Sequence, residues 1–97
     1  MLKAPTPGEI LLEEFIKPMG LSQYRLAKEL HVSQMKISEI VNDKRSITAN
    51  TALRLGKFFG MDPQFWMNLQ GLYELRKEKR EIGKELNKKI KPHSKAA

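Results

Sequence analysis

Few side chains of this 97-residue sequence could carry chemistry, and they exclude more reactions than they permit. There is no cysteine, so thiolate catalysis, disulfides and thiolate metal sites are ruled out. The two histidines, His31 and His93, stand far apart with no ligand pattern around either, so neither a metal nor another cofactor is expected. Glu13 and Glu14 are adjacent on a predicted helix and point different ways, which suits a solvated face rather than an acid–base pair. No glycine-rich phosphate loop occurs, and no enzymatic activity is expected. What remains is a polar run around Ser33 to Glu39. Gln34 can pair with adenine, Lys36 can reach guanine or a phosphate, Glu39 can accept from the cytosine amino group, and Met35 can meet the thymine methyl. That chemistry is the readout of base-pair edges in a major groove. Without a surrounding pattern, the same residues read as a solvated first turn behind a Ser33 cap.

Such side chains work only if a rigid element presents them, and the apolar periodicity supplies one. Leu11, Leu12, Phe15 and Ile16 recur at helical spacing, and Lys17-Pro18-Met19-Gly20 ends that first helix. Ser22 caps a second, two-turn helix with Leu26, Ala27 and Leu30 on one face; Ser33 caps a third with Ile37, Ile40 and Val41. Asn42-Asp43-Lys44-Arg45 forms a turn, Thr48 opens a fourth helix that Gly60 closes, and Asp62-Pro63 begins a fifth. The expected fold is all-α, with five helices and no strand. Two short helices joined by a turn across Gln23 to Ile40 form a helix-turn-helix. The small Ala27 lets the pair cross closely over a core of Leu26, Val32, Ile37 and Ile40. Ser33, Gln34, Met35, Lys36, Ser38 and Glu39 are then left outward.

The net charge of +7 points to a polyanionic partner, but it is unevenly spread. Residues 1–70 hold nine Lys/Arg against seven Asp/Glu, and residues 71–97 hold nine against four. The expected division is a DNA-binding domain over 1–75 and a basic helical extension or tail over 76–97. That tail carries only Ile82, Leu86 and Ile90 among its charges, with favourable helix pairs at Glu81–Lys84 and Glu85–Lys89, and should fray before Pro92. No apolar run has the length of a signal core or a membrane span, so a cytoplasmic location is expected, nucleoid-associated when DNA is bound.

The pattern Gln23-x-x-Leu26-Ala27, Val32-Ser33, Ile37-Ser38-Glu39-Ile40 and Asn42-Asp43-Lys44-Arg45 resembles the phage-repressor (Xre-type) helix-turn-helix family. A narrower resemblance, to the HigA/VapI antitoxins, runs in order over about residues 5 to 75. It is carried by Pro7-Gly8-Glu9-Ile10-Leu11, Leu21 to Ala27, Ile37 to Asn42, Arg45-x-Ile47-Thr48-Ala49, Ala52 to Leu55, and Phe58-Phe59-Gly60 through Phe65 to Gln70. The resemblance implies that Gln34, Met35 and Glu39 face bases, joined on residue chemistry by Lys36. It implies that Gln23, Ser33, Asn42, Lys44 and Arg45 lie nearer the DNA backbone, a group to which Ser38 is added. It also implies repression of the chain's own operon and binding of a HigB-like toxin, an mRNA endonuclease. One position departs from the family: His31 stands where glycine is usual. Histidine tolerates the left-handed region better than most residues, so a positive φ is predicted there.

A module this small makes few contacts, and a two-fold homodimer on double-stranded operator DNA would double them. Phe65, Trp66, Leu69, Leu72 and Tyr73 are the expected dimer surface, although Trp66 and Leu69 also fit an intramolecular core. Two other readings remain open at the level of sequence. One is a stand-alone Xre-family repressor without a toxin. The other is an RNA-binding or scaffold protein acting through the tail from Arg76 to Lys95.

Overall fold

The computed structural model describes residues 4–93, and among them it contains five helices and no strand. The first, α1, spans Pro7–Ile10 and runs on into a π-helical segment, Leu11–Ile16. Thr6 caps it in a reciprocal capping box, its hydroxyl accepting from the Glu9 amide while the Glu9 carboxylate accepts from the Thr6 amide. The π segment, where the Lys17 amide bonds to the Leu12 carbonyl, departs from the regular α-helix expected there. Its wider turn brings residues five apart onto one face, so Leu11 and Ile16 are both buried.

The remaining helices are α2 (Gln23–Leu30), α3 (Gln34–Val41), α4 (Ala49–Phe59) and α5 (Gln64–Lys89). Ser22, Ser33 and Thr48 accept from the amides of Arg25, Lys36 and Thr51, as the cap assignments anticipated. The fifth helix starts one residue later than expected, at Gln64, whose amide donates to the Asp62 carboxylate at 2.9 Å. None of the described helices is long and apolar enough to cross a membrane.

The core gathers Leu11, Ile16, Leu26, Ala27, Leu30, Ile37, Ile40, Ile47, Ala52, Leu55 and Trp66 into one cluster. Ala27 lies in it as the crossing argument required, and Val32 packs half-buried at its margin. Trp66 is entirely enclosed, with Phe15 and Phe65 at ring-centroid distances of 4.9 and 5.1 Å. Gly8 is pressed against the carboxy end of α3. A Cβ there would overlap the carbonyl oxygens of Ile40 and Val41, so only glycine allows this approach. The Gly8 amide donates to the Asp43 carboxylate at 3.2 Å, tying α1 to the turn that follows α3.

Candidate nucleic-acid interface

Two turns fix how α3 is presented. At the end of α2, His31 takes φ 58° and ψ 44°, the left-handed conformation predicted for it. The Val32 and His31 amides return to the carbonyls of Ala27 and Lys28, forming a Schellman closure that reverses the chain within two residues. At the end of α3 the same device recurs at Asp43, also at φ 58°: the Lys44 amide bonds to the Glu39 carbonyl and the Asp43 amide to that of Ile40. Sequence reasoning placed a turn at Asn42 to Arg45 but assigned no left-handed residue to it. The aspartate in a glycine-like role, followed by Lys44 and Arg45, was the available signal.

Between these turns, α3 buries Ile37, Ile40 and Val41 and leaves its amino half at the surface. Gln34 is exposed, Met35 is 67% exposed, and Lys36, Ser38 and Glu39 are half-buried. Met35 shares this exposure with other large apolar side chains such as Leu53 and Leu75, so what sets it apart is its place on the outer face of α3 beside Gln34 and Lys36. Among the residues expected near a DNA backbone, Ser33 is exposed and caps α3, Gln23 is half-buried at the start of α2, and Asn42, Lys44 and Arg45 are exposed. Asn42 donates from Nδ2 to the Ser38 carbonyl at 2.8 Å, beside the bond that its own backbone amide makes to the same oxygen. Glu39 is not free: Arg45 bonds to its Oε1 from both Nε and Nη2 at 2.7 Å.

The loop behind α3 is anchored by a network that the sequence did not disclose. Gln70 is buried on α5, and its Oε1 accepts from the Ile47 amide at 2.9 Å. Its Nε2 donates to Glu74, which also accepts from the Ser46 hydroxyl. The partners lie 23 and 28 positions apart, beyond the reach of any periodicity argument. The groove between this loop and α5 is lined by Lys44, Arg45, Tyr73 and Lys77 together with Glu74 and Glu78.

The expected dimer surface divides. Trp66 is fully enclosed within the chain and is core rather than interface, because its ring fills the space between the α1 and α5 aromatics. Leu69 packs against the same core, and Phe65, though 38% exposed, lies 6.2 Å from Phe15 between ring centroids. Leu72 is exposed and Tyr73 half-buried. Farther along α5, Leu75, Ile82 and Leu86 are also exposed, and the assignment of residues to a dimer surface omitted them.

A helix-turn-helix family model matches residues 12–66, which include α2, the turn, α3 and α4. Virulence-associated protein I of Dichelobacter nodosus is 60% identical over 70 residues; the match takes in 72% of this chain, and the chain spans 65% of the length of that relative. Two solved structures are similar over nearly their whole length. The Pseudomonas aeruginosa antitoxin HigA with higBA promoter has a TM-score of 0.90 and 40% identity, covering 93% of this chain and 98% of its own. An addiction module antidote protein of the HigA family from Coxiella burnetii has a TM-score of 0.88 and 42% identity, covering 95% of this chain and all of its own. The chain therefore belongs to the helix-turn-helix family, alongside its HigA-type and VapI-type members.

Proposed function

We propose that this chain is a sequence-specific DNA-binding repressor of its own operon and the antitoxin of a type II toxin–antitoxin pair. It acts as a homodimer, performs no catalysis, and neutralises a HigB-like mRNA endonuclease by binding it. The observation that carries this reading is the exposed amino half of α3, held between two left-handed turns in a fold shared with an antitoxin solved on promoter DNA. Gln34, Met35 and Lys36 read base edges from that half-helix, while Ser33, Lys44 and Arg45 set its register on the phosphates. The capped amino end of α3 adds its own positive field toward a phosphate. Acting on operator DNA places the protein in the cytoplasm, on the nucleoid when bound.

In this reading residues 1–75 are the DNA-binding domain and residues 76–97 a basic extension, helical as far as Lys89. Pairing of two copies along α5 would use Leu72, Leu75, Ile82 and Leu86, exposed residues spaced by three, seven and four, the repeat of a helix-packing stripe. The two copies of α3 would then stand about 34 Å apart, one turn of DNA.

Co-expression of the chain with the product of the neighbouring reading frame tests the proposal. A stable complex and relief of growth arrest support the antitoxin role. Footprinting should place the chain on the promoter upstream of its own gene. Operator binding with no toxin partner would leave a plain repressor. Specific operator affinity lost when the lysines and arginines from Arg76 to Lys95 are changed to glutamine, with the dimer intact, would shift the binding to the tail.

A further inference from the structure

Among the described residues, three of the four ion pairs join side chains four apart on one helix: Glu13–Lys17, Arg25–Glu29 and Glu85–Lys89. The fourth is different. Arg45 lies beyond the α3 turn, folds back over the helix, and places two N–H groups on a single carboxylate oxygen of Glu39. The Schellman closure at Asp43 and the Asn42–Ser38 bond fix the loop that carries it. A guanidinium has five N–H donors, so this contact leaves three for another acceptor.

We propose that Glu39 is a positioning and specificity-determining residue that acts through Arg45, not a reader of cytosine. The inference rests on the reading that α3 docks on DNA. An unpaired arginine would contact phosphate on any duplex and release a counterion each time, strengthening non-specific binding. Arg45 and Glu39 together carry no net charge to an arbitrary duplex. The free edge of Arg45 is nevertheless held at one place beside α3. A phosphate reaches that edge only when α3 sits in register with its site. The pair therefore suppresses binding to the wrong sequence more than it strengthens binding to the right one, and this is how a repulsive or neutralising element adds discrimination.

The test uses the full chain, with wild type, Glu39→Gln, Arg45→Gln and the double variant. Each is titrated over a range of salt against a duplex from upstream of its own gene and against a mixed-sequence duplex of equal length. Glu39→Gln nearly preserves shape while removing the charge. It should bind the mixed-sequence duplex roughly fivefold more tightly near 0.1 M salt, with a log–log salt slope steeper by about 0.9. Preference for the upstream duplex should fall accordingly, and in the Arg45→Gln background Glu39→Gln should change neither quantity. An unchanged slope for Glu39→Gln, or the same steepening without Arg45, overturns the proposal, the latter by showing a bulk charge effect. A loss confined to the upstream duplex also overturns it and restores Glu39 to base readout. Wild type binding neither duplex would instead bring down the DNA reading on which the proposal stands.

Discussion

The two halves of α5 are one continuous helix in two different environments. From Gln64 to Gln70 the helix supplies Trp66 and Gln70 to the interior, and its side chains meet α1, α4 and the loop behind α3. From Gly71 to Lys89 it buries no residue, and it gives the molecule a length of 55 Å against widths of 28 and 23 Å. The first half is fixed by shape, since Trp66 must fit among the aromatics and Gln70 must meet the Ile47 amide. Beyond Glu74, which still accepts from the Ser46 hydroxyl, the second half is sustained by local terms such as the Glu85–Lys89 pair at 3.2 Å, each worth only about 0.2–0.5 kcal/mol. A solvated helix with exposed leucine and isoleucine on it is stable as part of an assembly more than alone. On the proposed pairing along α5, substitutions in the inner half act on folding, whereas those beyond Glu74 act on association.

The sharpest break in that comparison comes from Trp66→Ala, which should destabilise the fold by about 3–5 kcal/mol in denaturant unfolding. A loss below about 1 kcal/mol would mean that the ring is dispensable and that the inner half is not fixed by shape. Next in size, Gln70→Ala leaves the buried Ile47 amide without its acceptor and should lower stability by roughly 1–3 kcal/mol. It should also loosen the loop bearing Arg45, which hydrogen exchange at Ile47 would report. The smallest effect on folding belongs to the outer half. Leu75→Lys with Ile82→Lys should shift monomer stability by no more than about 0.5 kcal/mol, as for surface changes generally. Sedimentation of the same variant should show dissociation to monomer. A dimer that persists would place the interface elsewhere.

Much of the fold was legible because it is written locally. The serine and threonine caps, the apolar stripes of α2 to α4 and the stop at Gly60 all follow from residues within a turn of one another. His31 was legible for a more particular reason: a histidine in a glycine-preferring slot implied the backbone conformation that is found. Three features were not legible, and all depend on distant chain segments or on geometry. Gly8 meets α3 over more than 30 positions, Gln70 meets Ile47 over 23, and the π turn arises where burying both Leu11 and Ile16 overrides the regular period. The site residues fall between these cases. Their exposure followed from the apolar stripe of α3, but the Arg45–Glu39 pair needs the shape of the Asp43 turn, which sequence alone did not supply.

Whether the amino half of α3 reads sequence is tested most directly by Gln34→Ala. Affinities would be measured for the wild type and this variant on the upstream duplex and on a shuffled one at a single salt concentration. If α3 reads bases through Gln34, the variant loses about 1–3 kcal/mol on the upstream duplex with the shuffled affinity unchanged. Equal losses on both duplexes, or no loss on either, would contradict that reading.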